Sequence, residues 1–342
     1  MENGEAFSTH IEQATRVVEM LRDFHPYEKG KCVMNISHLD HLVLTVADLE
    51  ATIDFYTRVL GLRMVKKSVN QDDPGTYHLY YGDEAGSPGT ILTFFPWAHV
   101  PKGRSGIGGT HETSYRVPET AIGYWAHRLI EKGVAHEPIV KRFGQPVLQF
   151  TDPDGTRLAL VGVKGAEDEP AWTGNGISAE HAIRGFHGVT LLLEKAERTA
   201  AVLTEVLGYQ AAGSEETVTR YVATSPVGGV VDLHEAGGFL PERQGSGSIH
   251  HVAFRARDDA EQAEMRRKLV EAHRLHVTEQ IDRYYFRSLY FRSPGGVLFE
   301  IATDDPGFAV DEPLDALGER LSLPPFLEGR RDQIEAGLKP LD

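Results

Sequence analysis

Two histidines and a glutamate, far apart along the chain, hold the most informative chemistry: His41 in HLDHLVLTV, His251 in IHHVAFRA and Glu300 in GGVLFEIAT. Two neutral imidazoles and one carboxylate would leave a divalent ion with a net charge of about +1 and open coordination positions, the donor set associated with non-heme Fe(II) oxygenases. Mn(II) would accept the same ligands. Taken singly, each residue has an ordinary alternative, since strand histidines often bond to backbone and an isolated glutamate is usually solvated.

An internal repeat lifts the three residues out of that background. A unit of strand, amphipathic helix and two or three further strands, with a Pro/Gly-rich turn before the last, recurs four times. Unit one holds HLDHLVLTV, DLEATIDFYTRVLGLR and GSPGTILTFF, and its helix places Leu49, Ile53, Tyr56 and Leu60 on one stripe. Unit two holds THETSYRV, ETAIGYWAHRLIEKGV and VLQFTDPDGTRLALVGV, with Asp-Gly as the tight turn. Unit three holds FHGVTLLLE, KAERTAAVLTEVLGYQ and YVATSPVGGVVDLHE; unit four holds IHHVAFRA, DDAEQAEMRRKLVEAH and RSLYFRSPGGVLFEIAT.

Equivalent positions can therefore be compared within the chain itself. At the candidate ligand position of the first strand stand His41, Glu112, Gly188 and His251. Counting from the turn, the closing strands offer Phe94, Ala159, Leu233 and Glu300, so that only unit four supplies a carboxylate there and Phe94 closes off a fourth ligand. Period-two alternation sets Leu42, Leu44 and Val46 on one face of their strand and His41 on the other. It likewise separates Glu300, with Leu298 and Ala302, from Val297, Phe299 and Ile301. If the sheets of units one and four curve around a shared cavity, the three candidates meet there.

The chain divides into an extension at 1–36, a first domain of units one and two at 37–165, a polar linker at 166–185, a second domain of units three and four at 186–303, and a tail at 304–342. GRSGIGG at 103–109 is glycine-rich but leads into a strand rather than from a strand into a helix, so it reads as a connector and not a phosphate cradle. A formal charge of -15 argues against nucleic acid and anionic membrane surfaces and favours a small-molecule partner. A single cysteine, Cys32, forms no intrachain disulfide, which suits a reducing compartment such as the cytoplasm. No stretch approaches membrane-spanning length, and the first residues lack the basic-then-apolar order of a signal peptide. A homo-oligomer is left open.

These units resemble the modules of the vicinal oxygen chelate superfamily, which includes glyoxalases, extradiol dioxygenases and bleomycin-resistance proteins. FYTRVLGLRMVKKSVNQDDPGTYHLYYGDEAGSPGTILTFFPW, HHVAF and DRYYFRSLYFRSPGGVLFEIATDDPGF are similar, more narrowly, to ring-cleaving dioxygenases that act on hydroquinones. The resemblance runs from about Ile36 onward and implies an α+β fold of four βαβββ modules paired into two domains. It also implies Fe(II) at His41, His251 and Glu300, an aromatic diol and dioxygen as partners, and roles for His250, Arg283 and Tyr290 near the substrate hydroxyls. One departure stands beside the first ligand, where similar members carry histidine and this chain has Asp40; the other units have His111, His187 and His250. Residues before Met34 lie outside the resemblance, making Met34 a candidate start, and the tail is expected either to cover the cavity or simply to dock. A glyoxalase-type isomerase or lyase and a metal-free aromatic-ligand-binding protein remain the alternatives.

Overall fold

Each of the four sequence units folds as strand, helix and three strands in the computed structural model, which describes residues 37–341. The 1–36 extension and the candidate start at Met34 lie outside the described residues. Unit one comprises β1 (Leu39–Val46), α1 (Leu49–Asp54), β2 (Arg63–Val69), β3 (Tyr77–Gly82) and β4 (Ile91–Pro96). Unit two comprises β5 (Gly109–Pro118), α2 (Ile122–Glu131), β6 (Val140–Arg142), β7 (Gln145–Thr151) and β8 (Arg157–Val163). Unit three comprises β9 (Phe186–Leu193), α3 (Glu197–Glu205), β10 (Gln210–Glu215), β11 (Val218–Val222) and β12 (Val230–Glu235). Unit four comprises β13 (Ser248–Ala256), α4 (Asp259–Glu271), β14 (Ile281–Asp282), β15 (Arg287–Arg292) and β16 (Leu298–Thr303).

Local chemistry starts the helices and burial holds them. Asp48 accepts a hydrogen bond from the Ala51 amide at 3.0 Å, and Asp258 accepts one from Glu261 at 2.8 Å, each satisfying an orphan donor of a first turn. Leu49 and Thr52 of α1 are buried, and the helix runs on through a wider turn that buries Phe55, Tyr56 and Val59. Trp125 and Leu129 of α2 and Met265 and Leu269 of α4 enter the same apolar core as Leu42, Leu44 and Val46 of β1. The opposite face of β1 is thereby freed for chemistry.

Strand pairing crosses the sequence halves. One sheet runs β14, β15, β16, β13, β1, β4, β3, β2, joining units four and one; the other runs β10, β11, β12, β9, β5, β8, β7, β6, joining units three and two. Each pair meets through antiparallel first strands, β1 with β13 and β5 with β9. The glycine-rich 103–109 segment is a connector: it bridges to the corresponding connector of the other half at Lys102 with Ser246, Arg104 with Arg243 and Ile107 with Pro241.

All four first strands carry a bulge at the same place. Leu39 pairs with Phe254 and Leu42 with Val252, so three steps along β1 face two along β13, and the extra residue lies in the Asp40–His41 pair. Val43 then pairs with His251 and Leu44 with Ile249, leaving His250 as the extra residue of β13. The β5–β9 ladder has matching shifts that skip His111 and His187.

The tail carries α5 (Pro325–Glu328) and α6 (Arg331–Gly337) and packs on β2, where Val69, Leu323, Leu327, Ile334 and Leu338 form a cluster. It docks there, and none of its described residues lines the cavity around His41. Lys66 of β2, 0% exposed, fastens it by donating to Phe308 O at 3.0 Å, to Asp311 Oδ1 at 2.6 Å and to Glu312. Among the described residues, no helix is long and apolar enough to cross a membrane.

Candidate functional site

The antiparallel meeting of β1 and β13 sets His41 beside His251, and the parallel pairing of β13 with β16 sets Glu300 next to Ala253, two residues past His251. One donor atom from each of the three side chains lies within 4.8 Å of the others. His251 Nε2 is 2.7 Å and His41 Nε2 3.3 Å from Glu300 Oε2. All three side chains are buried, Glu300 completely.

The proximity does not satisfy them as hydrogen-bonding groups. His251 Nε2 and both Glu300 oxygens make no aligned hydrogen bond. Buried polar atoms left in that condition are costly unless something else occupies the point they converge on, and this donor set suits a divalent ion. The electrostatics agree. Burial alone would raise the Glu300 carboxyl, but the charge of His41 and a contact with His251 hold it well below its usual range. For His41, burial opposes protonation, but Glu300 and Asp40 raise the imidazole to about 10; burial lowers its neighbour His251. The buried carboxylate thus calls for a positive charge, which a cation would provide in place of the proton.

Register corrects part of the internal comparison. Glu300 aligns with the residue two beyond its histidine; the same rule in β1 gives Val43 with Thr93, and in β9 Thr190 with Asp232. The position equivalent to Glu300 is therefore Thr93 rather than Phe94, and Asp232 rather than Leu233. Phe94 is a core residue against Tyr56 and Tyr81, and Leu233 is in the same core. Counting from the turn failed because its length varies by a residue between units, whereas pairing with the central strand fixes the face. Thr93 offers no carboxylate, so the coordination side assigned to Phe94 is still without a fourth acidic ligand.

The second sheet has lost the constellation. Glu112 is bound by Arg142 at 2.6 Å, and Asp232 by Arg220 at 2.8 and 2.7 Å. At Gly188 a Cβ would come 2.1 Å from Val230 O, which leaves no room for a ligand side chain.

The His41, His251 and Glu300 donors face a cavity of about 330 Å³, near the lower end of ligand pockets. His250, Arg283 and Tyr290, the residues singled out by the family resemblance, line it. Tyr290 pairs with Glu300 across β15 and β16, and its ring lies 5.6 Å from that of His251. Burial and the Glu300 charge raise the Tyr290 phenol, keeping it protonated. The Arg283 guanidinium sits 5.7 Å from the Tyr290 ring centre and pairs with Asp72 at 3.0 Å. Burial, with help from His251, lowers His250 to about 4. His250 Nδ1 and His251 Nδ1 are 2.9 Å apart, and two N–H groups cannot face each other. If His251 keeps Nε2 bare toward Glu300, its Nδ1–H donates to His250, whose own hydrogen is then on Nε2.

Sequence reasoning missed the aromatic wall: His78, Tyr80, Phe95, Trp97 and Phe286, with Asn70, Gln71 and Asp72 at one side. The alternation of TYHLYYG puts His78 and Tyr80 on one face, a signal that was available. His78 is held by Tyr80 OH at 2.7 Å and Thr93 Oγ1 at 2.9 Å, and burial keeps it neutral.

The family model described as the glyoxalase/bleomycin resistance protein/dioxygenase superfamily matches residues 38–160 and 185–301. The chain belongs to this superfamily. Within it, the chain is 43% identical over 307 residues to the protein named "Putative ring-cleaving dioxygenase MhqO" of Bacillus subtilis, covering 89% of this chain and 96% of that one. It is 30% identical over 307 residues to the chlorohydroquinone/hydroquinone 1,2-dioxygenase of Sphingobium indicum, covering 87% and 95%. A crystal structure from Bacillus subtilis superposes with a TM-score of 0.85 at 42% identity, over 90% of this chain and 98% of that one. Glyoxalase I from Zea mays, at 17% identity and a TM-score of 0.60 over 78% and 92%, shares the fold. These kinships make the chain an enzyme of the dioxygenase branch.

Proposed function

We propose that this chain is an Fe(II)-dependent ring-cleaving dioxygenase acting on a hydroquinone or related aromatic diol, with His41, His251 and Glu300 as the metal ligands. The observation that carries the reading is the convergence of two imidazoles and one otherwise unsatisfied buried carboxylate on an aromatic-lined cavity. The hydroquinone dioxygenase named above supports the substrate class. Fe(II), when bound, supplies open positions for a diol oxygen and dioxygen together with a one-electron redox couple.

The chain's own groups do the rest. Phe95, Trp97 and Phe286 offer faces and edges for a planar ring and keep bulk water from it. His250, kept neutral by burial, presents Nε2–H as a hydrogen-bond donor to a diol oxygen. Tyr290 stays a neutral phenol, a second donor, and Arg283 holds it in place while fixing the mouth of the cavity through Asp72. A cytoplasmic location fits the lone cysteine.

The test is an oxygen-electrode assay with hydroquinone on protein loaded anaerobically with Fe(II). One dioxygen consumed per hydroquinone, with a ring-opened product, is the expected result. Turnover supported by Zn(II) or Ni(II) without oxygen uptake would replace this reading with an isomerase or lyase.

A further inference from the structure

Of the two residues that precede ligand histidines on the bulges of β1 and β13, one is an imidazole and the other a carboxylate. The bulge in β1 is what lets neighbours meet: in a regular strand Asp40 and His41 would point to opposite faces, but here Asp40 Oδ1 lies 2.7 Å from His41 Nδ1. Both residues are buried. At the symmetry-related place His250 Nδ1 lies 2.9 Å from His251 Nδ1. Elsewhere the corresponding histidines serve nothing of the kind: His111 meets Ser105 and Arg157, and neither nitrogen of His187 has a partner.

We propose that Asp40 is a positioning residue of the metal site: its carboxylate accepts from His41 Nδ1–H, fixes the tautomer with Nε2 bare toward His251 and Glu300, and so tightens metal binding. The inference rests on the metal reading given above. Asp40 cannot touch the ion itself, because the imidazole stands between them; it acts through His41. A carboxylate accepts more strongly than a neutral imidazole, so His41 becomes the more electron-rich of the two nitrogen ligands and its ring the less free to turn. The two ligand histidines, related by the repeat, are thereby made unequal.

Co(II) binding to the purified metal-free full chain tests this, measured by chelator competition and by the visible absorption of the bound ion. The wild type should take up one Co(II), and His41→Ala should lose it. Asp40→Ala should bind about 10- to 100-fold more weakly, the range for lost outer partners of metal-bound histidines. Its Co(II) spectrum should shift, while the circular dichroism of the metal-free protein stays that of the folded wild type. Asp40→Asn retains an acceptor without the charge and should fall between the two. Wild-type affinity and spectrum in Asp40→Ala overturn the role of Asp40 and leave the metal reading intact; if Asp40→Ala does not fold, the same result in Asp40→Asn overturns it. Failure of the wild type to bind Co(II), or binding undiminished in His41→Ala, overturns both.

Discussion

Tyr290 stands directly across from Glu300 in adjacent antiparallel strands, so the phenol and the buried carboxylate share one face of the sheet at a fixed register. That register gives Tyr290 access to whatever Glu300 helps to bind. Tyr290→Phe removes the hydroxyl and keeps the ring. We expect kcat to fall about 100-fold or more, the usual value of a positioned proton donor. Co(II) affinity should be unchanged, and a parallel loss of metal would show that the hydroxyl is a structural prop.

Thr93 occupies in unit one the register that Glu300 occupies in unit four. Thr93→Glu therefore directs a second carboxylate at the same face. Metal binding should tighten and oxygen uptake should drop to background, because a coordination position needed by small molecules becomes filled. Retained oxygen uptake with unchanged metal affinity would show that residue 93 does not reach the ion.

His187 gives the apoprotein an acid sensitivity separate from the metal ligands. Burial first, then Arg220, Arg116 and Arg142, hold its imidazole well below the ordinary value of 6.5, so it is neutral in the fold. Above pH 6.5 it is neutral folded or unfolded and its full contribution is present. As pH falls below 6.5 the unfolded chain takes up a proton that the fold refuses, and stability drops by about 1.4 kcal/mol per pH unit. Urea unfolding between about pH 6 and pH 5 should show a shallower decline in His187→Leu than in the wild type. Equal slopes would mean that the fold accommodates the charge.

Lys66 is the fastening of the tail. Replacement by methionine keeps the stem, leaves Asp311 without Lys66 and leaves Glu312 with only Arg320 at 3.8 Å, in a region that also receives the Tyr285 hydroxyl at 3.0 Å. Breaking one side of a buried ion group costs about 3–5 kcal/mol. A loss of that size in chemical denaturation is expected for Lys66→Met, and a change below about 1 kcal/mol would place the fastening in the apolar cluster of Val69, Leu327 and Ile334 instead.

Sequence analysis reached His41, His251 and Glu300 because a repeated unit supplies its own control and strand alternation assigns faces. It misassigned Phe94 and Leu233 because residue counts from a turn ignore the ladder that sets the register. The aromatic wall lay deeper still. Tyr80 and Trp97 come from unit one and Phe286 from unit four, and only the pairing of β1 with β13 makes them neighbours. Nothing local in HLDHLV announced that Asp40 would reach its neighbour, since an unbroken strand would have separated them.

The exchange of strands between the two halves of the chain also orders events during synthesis. His41 leaves the ribosome early, yet β1 has no antiparallel partner until β13 follows, and Glu300 emerges later still. Units two and three can close their own sheet in the meantime. A cation captured by the nascent protein would have to wait for β16, so the three-residue site is complete only once the last unit has emerged.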